Sequence, residues 1–371
     1  MILGKEDSKC TGCGACANAC TQQCIDIVAD DEGFLYPQID SAKCIECNVC
    51  SNVCHLNKHN SKKDSGKSFG AYSTSTKIRN NGSSGGLFEI IANLVLGEDG
   101  IVYGAAFSDD FRKLYHISTE FIGLNKLLKS KYLESTLGNT FSNIKENLCA
   151  EKQVLFCGTP CQVRGLVSYL DAMHISKKNL ICVDFLCHGV LSEKAYVNYV
   201  DFMEKKHKSK VKSLSFRSKK LGWKTYCMYI EFENGKHYIR TGINDPYYRM
   251  FFECGSFRKS CYGCNYVENS LADITLGDFW TQSFDQSDKG VSFITVHSDL
   301  GNSVFSRIMD KITSFPADNK MVQALYSTHD YKRNIVLDYD YSKYRTSGIR
   351  IAKELVLRTR IGRFFVNKKR R

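Results

Sequence analysis

Cys10-Thr-Gly-Cys13-Gly-Ala-Cys16-Ala-Asn-Ala-Cys20 and, further on, Cys44-Ile-Glu-Cys47-Asn-Val-Cys50-Ser-Asn-Val-Cys54 decide how this chain reads. Each run is C-x2-C-x2-C-x3-C. Three thiolates at three-residue steps can wrap one cuboidal iron–sulfur cluster. The fourth, after a short helical step, points away and reaches a second cluster. The crossing gives Cys10, Cys13, Cys16 and Cys54 to one 4Fe–4S cluster, and Cys44, Cys47, Cys50 and Cys20 to the other. Zinc is the rival ligand, but structural zinc sites pair two C-x2-C knuckles. A run of four cysteines, used twice, fits zinc poorly.

The same spacing marks bacterial two-cluster ferredoxins. Those carry proline after each fourth cysteine, where this chain has Thr21 and His55. Proline fixes the backbone and supplies no ligand, so ligation survives its loss. His55 reads as a neighbour of the cluster and Cys24 as packing. Residues 1–57 are expected to form a ferredoxin-type domain, with short strands at Ile25-Asp-Ile-Val and Gly33-Phe-Leu-Tyr-Pro. The core of such a piece is small, so the metal holds much of it together. Residues 58–68 are polar, without apolar periodicity, and read as a linker.

A chain of 371 residues exceeds the usual size of one domain. No charged-then-apolar leader opens it. The longest apolar run, Leu87 to Leu96, is broken by Glu89 and Asn93 and is too short to span a bilayer. Eighteen cysteines without a secretory signal point to a reducing compartment, the cytoplasm, and to metal ligation rather than disulfides. The formal charge is +12, and the tail 346–371 with Arg345 carries most of it. Cluster thiolates lower the charge of the body further. A nucleic-acid surface is therefore not expected. The basic tail, with Ile351, Leu355, Val356, Ile361, Phe364 and Phe365 among its bases, suits a peripheral membrane surface or an acidic partner, and equally a solvated terminal helix.

Past the linker, strands and helices alternate. Helix 87–96 precedes strands 101–107 and 114–118, and strand 154–157 runs into helix 160–170. Strand 180–186 ends at Cys187-His188-Gly189. Helix 192–205 and strand 213–217 follow, then strands 225–232 and 236–241 around the hairpin signal Asn234-Gly235. Strand 292–296 and helix 302–312 close the pattern. The fold class expected is α+β: a ferredoxin-like domain followed by a larger mixed α/β domain, in parts 69–190 and 191–345.

Two loops of the large domain carry chemistry. Gly82-Ser-Ser-Gly-Gly86 opens a helix, which suits a pyrophosphate-bearing cofactor or a plain capped turn. Gly158-Thr-Pro-Cys-Gln162 reads as a capping box with proline at the first helical position. That places Cys161 in the first helical turn. Cys187 also lies just past a strand end, where ligands collect in open α/β sheets. With the C-x2-C pair Cys261 and Cys264 these could close a third four-cysteine site. Buried packing and zinc remain alternatives. Cys24, Cys149, Cys157, Cys182, Cys227 and Cys254 read as packing residues.

An ordered set of motifs now becomes specific: Ser83-Ser-Gly-Gly86, Val102-Tyr-Gly-Ala105, Ser130-Lys-Tyr132, Gly158-Thr-Pro-Cys-Gln162, Cys187-His-Gly189, Phe216-Arg217 with Gly222-Trp223, Ser260-Cys-Tyr-Gly-Cys264 and Asp273-Ile-Thr-Leu-Gly-Asp-Phe-Trp280. With them the chain resembles the coenzyme F-420 hydrogenase/dehydrogenase beta-subunit family, in the branch with an N-terminal ferredoxin domain. The resemblance implies an oxidoreductase that passes electrons between clusters and FAD, and then to or from a hydride-type acceptor such as a deazaflavin. It makes Cys161, Cys187, Cys261 and Cys264 the ligands of a third 4Fe–4S cluster. It makes Ser84, Gly85, Gly86, Lys131, Gly158 and Thr159 the FAD contacts. The implied partners are a redox protein or a small-molecule acceptor. Lys131, Arg217 and Lys219 are cations that would stabilise a reduced flavin, or ordinary solvated bases. The competing function is a ferredoxin-like electron carrier without flavin.

Overall fold

The computed structural model describes residues 9–58, 66–252, 256–280 and 287–318. The basic tail and Cys254 lie outside the described residues.

The strands, in chain order, are β1 (Ile25–Ala29), β2 (Leu35–Ile39), β3 (Lys67–Ser73), β4 (Ile101–Phe107), β5 (Leu114–Ser118), β6 (Val154–Cys157), β7 (Leu180–Phe185), β8 (Val211–Ser218), β9 (Cys227–Phe232), β10 (His237–Thr241), β11 (Ile274–Asp278), β12 (Ser292–Val296) and β13 (Ile312–Pro316). Eight of them form one sheet in the order β13-β3-β12-β11-β7-β6-β4-β5. Its centre, β11-β7-β6-β4, is parallel and its flanks are antiparallel. The central strands Val-Leu-Phe-Cys and Leu-Ile-Cys-Val are apolar on both faces because both faces are covered. Val154 and Phe156 point to one core, and Leu155 and Cys157 to the other, as the two-residue period of a strand requires.

One face packs under helices Leu87–Leu96 and Asp299–Arg307. The other packs under Thr140–Cys149 and Pro160–Ala172. A separate antiparallel sheet, β10-β9-β8, carries an aromatic core against helices Glu193–His207 and Pro246–Phe252. Its hairpin turns at Asn234-Gly235, with the left-handed φ of 78° at Gly235.

Ala15, Ala19 and Val53 of the cysteine-rich region sit in the same core as Phe141, Phe156, Leu166 and Tyr169. The Ser168 hydroxyl donates to the Val53 carbonyl at 2.8 Å, and Lys58 Nζ donates to the Ser168 carbonyl at 3.1 Å. Asn18 donates to the Gly138 carbonyl and accepts from Ser142 N. The N-terminal region is therefore packed onto the sheet through helices rather than hung from it.

Two expectations need correcting, and one helix is added. Lys67 and Ser68, read as linker, begin β3, which is hydrogen-bonded on both sides. The last helix covers Asp299–Arg307 and gives way to a single 3-10 turn and then β13, so Ile312 is strand, not helix. Helix Thr140–Cys149 was not read, although Phe141, Ile144 and Leu148 fall on one buried face.

Phe141 is fully buried and lies edge-on to Phe156 beneath the N-terminal helix. Phe141→Ala should cost about 3–5 kcal/mol of stability in urea denaturation. A loss below about 1 kcal/mol would show that this seam is loosely packed.

Candidate metal centres and the neighbouring sheet edge

The two cysteine loops share one backbone device. Gly12 and Gly14 in the first take φ of 69° and 68°; Glu46 and Asn48, at the matching places in the second, take 53° and 61°. Two left-handed residues between successive cysteines turn the chain around a centre. Short helices Ala15–Ala19 and Val49–Asn52 follow and aim Cys20 and Cys54 across to the other loop.

Several of the thiols lie within electrostatic reach of one another. Burial pushes Cys13 up to about 12, and the charges of Cys10, Cys161 and Cys54 add to the effect. Cys16 is raised well above its ordinary value by burial, with Cys13, Cys10 and Cys54 beside it. Around the other centre, burial raises Cys50, with Cys47 and Cys20 adding. Cys24 stands with its sulfur 3.4 Å from that of Cys20. It is pushed up to about 11 by that hydrogen bond, and Cys44 is also in reach. Cys24 is buried, as packing would be, but its thiol is also placed to donate to a candidate ligand. His55 stays a neighbour: its Nε2 pairs with Thr11 Oγ1 at 3.0 Å, and burial holds it down to about 4.

The third set comes from three places. The capping box on Thr159 and Gln162 is formed, which puts Cys161 in the first turn with Thr159 Oγ1 3.0 Å from its sulfur. Burial pushes Cys161 up to about 11, with Cys264 adding. Cys187, just past β7, is raised by burial and then by Cys261, Cys161 and Cys264. Cys261 is raised by burial and by Cys161 and Cys264. All four thus lie within mutual electrostatic reach. Four half-buried thiols that resist ionising separately are suited to a metal cluster, which takes them as thiolates and supplies the positive charge. Among the described residues no three His, Cys, Asp or Glu side chains converge as around one ion; a cuboidal cluster instead takes its four thiolates on four separate irons.

Of the other cysteines, Cys182 and Cys227 are buried, but Cys149 is exposed at a helix end and is not a packing residue. Cys157, at the end of β6, is pushed up to about 12 by burial and then by Asp184, against the pull of Lys131.

Because β6, β7 and β11 are parallel, Gly158-Thr159, Cys187-His188 and Asp278-Trp280 emerge at one sheet edge. The 82–86 loop meets the same neighbourhood. The Ser84 hydroxyl donates to the Val291 carbonyl at 2.6 Å, and Gly85 N donates to Ser292 Oγ at 2.9 Å. A Cβ on Gly85 would collide with the Ala71 carbonyl oxygen. Gly85 is therefore small for the sake of β3. Gly86, at φ 87°, begins helix Leu87–Leu96. Gly158 N donates to the Val183 carbonyl at 3.1 Å. Lys219 Nζ donates to the carbonyls of Arg79, Ser84 and Lys289 at 2.5, 2.6 and 2.8 Å. It fastens the loop and is no free surface base.

Lys131 Nζ donates to the carbonyls of Leu127, Leu128 and Lys129 at 3.2, 2.8 and 3.1 Å. Burial pulls it down to about 7, while the three carbonyls around it favour the ammonium form. Arg217 is 4 % exposed and pairs with Asp278 at 2.8 Å. It lies 4.6 Å from the Tyr226 ring and 5.0 Å from that of Trp280. Among the described residues its Nε and Nη2 have no hydrogen-bond partner. Burial holds His188 down to about 4, against Asp278. Sequence reasoning missed Arg258, Glu134 and Asn18, which tie the N-terminal loops to the large domain; nothing local in the sequence marks them.

Two tests follow from this geometry. A non-glycine residue at left-handed φ costs about 1–2 kcal/mol, partly offset by glycine's own entropy. Glu46→Gly should raise stability by about 1 kcal/mol in thermal melts, and a loss would show that the Glu46 side chain holds the loop. Lys131, neutral when folded above about 7, is protonated when unfolded up to its ordinary range. The unfolded state then binds more protons, so stability rises with pH from 7 toward 10, by up to about 1.4 kcal/mol per unit. Lys131→Met should flatten that rise; an unchanged slope would mean the ammonium stays charged in the fold.

Residues 151–320 match the family model for the C terminus of the coenzyme F420 hydrogenase/dehydrogenase beta subunit, and residues 9–57 match that of the 4Fe-4S dicluster domain. The motifs at 83–86, 102–105 and 130–132 lie upstream of the first match. No curated protein matches in sequence. Among solved structures, the chain is similar to one in the F420-reducing NiFe hydrogenase complex from Methanosarcina barkeri, at 17% identity and a TM-score of 0.50, over 79% of this chain and 92% of that one. At that identity the likeness speaks to the fold. The chain is an oxidoreductase that carries the C-terminal domain of the coenzyme F420 hydrogenase/dehydrogenase beta-subunit family over residues 151–320, behind a 4Fe-4S dicluster domain over residues 9–57.

Proposed function

We propose that the chain is an electron-transfer oxidoreductase whose residues hold three 4Fe–4S clusters and FAD, and that it works on a two-electron, hydride-type acceptor, of which a deazaflavin is the family's namesake. Clusters move single electrons, and a flavin exchanges them singly or in pairs. The observation that carries the reading is the packing of Cys13 against Gly165 of the helix whose first turn carries Cys161, which links the dicluster region to the tetrad in the large domain.

The chain's part is to hold three thiolate sets in line. The Cys20, Cys44, Cys47 and Cys50 set faces outward: Cys47 is exposed and Ile45 beside it is 62% exposed. The Cys10, Cys13, Cys16 and Cys54 set faces the large domain. The set at Cys161, Cys187, Cys261 and Cys264 lies beyond, at the sheet edge. For the flavin, Gly86 and the first turn of helix 87–96 offer backbone N–H groups. Gly158 and Thr159 line the end of β6. The two unpartnered nitrogens of buried Arg217 are donors waiting for an acceptor. Ser84 and Lys131 keep their places at this edge, with their donors already spent on carbonyls. A redox partner protein fits the outward set; the solved neighbour is part of a hydrogenase complex. Among the described residues no helix is long and apolar enough to cross a membrane, and a reducing cytoplasm suits exposed thiolate ligands.

Anaerobically purified protein should hold about twelve irons and one FAD, as four irons per set require. Cys161→Ser should lower the count to about eight with the N-terminal pair retained. About eight irons and no flavin in the parent protein would instead identify an electron carrier.

A further inference from the structure

Arg258 stands between the first N-terminal thiol set and the tetrad. It is 1% exposed and every one of its side-chain nitrogens is bonded. Nε donates to the carbonyl of Cys10 at 2.9 Å, Nη2 to that of Leu35 at 2.7 Å, and Nη1 to Glu134 Oε1 at 2.5 Å. Its Cζ lies 4.1 Å from the Tyr36 ring. Glu134 Oε2 accepts from Leu35 N at 3.1 Å. On the other side, the Arg258 carbonyl accepts from Cys261 N at 2.9 Å. Its charge is felt at Cys10, Cys161 and Cys261. One residue thus touches, by its side chain, the backbone of Cys10 in one set and, by its main chain, that of Cys261 in the other. A Cβ at Gly12 would meet Glu134 and Arg258 at 2.8 and 2.9 Å, so the first loop is built around this pair.

We propose that the Arg258–Glu134 pair is a potential-setting bridge between these two cluster sites: the guanidinium raises the reduction potentials of both, the carboxylate lowers them, and the outer site at Cys20, Cys44, Cys47 and Cys50 is untouched. The physical cause is charge. Reduction adds an electron to a site already rich in thiolate, and a fixed positive charge in a dry setting stabilises the added charge. Arg258 is a positioning and tuning residue that acts through the ligand loops. The inference rests on the three-cluster reading above.

The test is an EPR-monitored redox titration of the anaerobically purified full chain, with iron counted in every sample. Arg258→Met should lower the potentials of the two bridged centres, with about a tenfold loss of reduced fraction at fixed potential, equivalent to about 59 mV for one electron. Glu134→Gln should raise both. Arg258→Lys should restore most of the shift, since it keeps the charge. The outer centre should not move in any variant. A pair that serves only to hold the loops would move the potentials the same way in Met and Gln variants, or not at all, and either result overturns the proposal. Should Arg258→Met lose iron, Glu134→Gln and Arg258→Lys still decide the sign. If the parent protein holds only about eight irons, the third site is rejected separately, and the same variants read the effect at the first centre alone.

Discussion

Cys13 rests against the helix Pro160–Ala172 because position 165 carries no side chain. A Cβ there would stand 2.7 Å from the Cys13 sulfur and 3.4 Å from the Phe141 ring. This close approach governs the relation between the two halves of the chain. The first turn of the same helix carries Cys161, so two thiol sets are referred to one rigid rod. Ala15, Ala19 and Val53 can then enter the core beside Phe141 and Tyr169. The bonds from Ser168 and Lys58 close the seam behind Cys54. Electron transfer between fixed centres needs a fixed separation. Packing a small metal-dependent region onto a helix supplies it without a long apolar interface.

How much of this was legible depends on sequence distance. The N-terminal ligand loops are local objects: three-residue steps and two left-handed positions suffice, and the cysteine spacing records both. The central strands were legible because Val154–Cys157 and Leu180–Phe185 are largely apolar. Helix Thr140–Cys149 left a signal in Phe141, Ile144 and Leu148 that its polar remainder obscured. β3 left little, since Lys67-Ser-Phe-Gly-Ala-Tyr-Ser alternates weakly, and its place between β12 and β13 is a tertiary fact. The third thiol set needed the strand order: Cys161 and Cys187 come together because β6 and β7 are parallel neighbours. Arg258 was illegible in principle. Its partners Cys10, Leu35 and Glu134 are 248, 223 and 124 residues away.

Two arginines are buried beside carboxylates, and they differ in a way that bears on function. A buried ion pair seldom stabilises a fold over an apolar substitute, because desolvation offsets the attraction. Each pair therefore asks for another explanation. Arg258 has all its nitrogens bonded to backbone carbonyls and Glu134, and it orders two ligand loops. Arg217 spends Nη1 on Asp278 and Tyr132 and, among the described residues, leaves Nε and Nη2 idle between aromatic rings. Idle buried donors cost free energy and are expected where a ligand completes them. The first arginine is fully engaged within the framework, and the second keeps donors in reserve at the sheet edge.

The two cysteine loops repeat each other in spacing and in backbone, yet not in side chain. Where the first has Gly12 and Gly14, the second has Glu46 and Asn48 at nearly the same φ. The neighbours explain the difference. Position 12 is pressed by Glu134 and Arg258, so no Cβ fits. Glu46 is exposed, and there only the strain of a left-handed backbone opposes a side chain. The repeat has thus been specialised by its surroundings: one loop is fitted to the large domain, and the other presents Ile45, Glu46 and Cys47 to whatever approaches. The first loop, half-buried at Cys10 to Cys13 and buried from Gly14 to Cys16, is left as the side of the dicluster region that faces the rest of the chain.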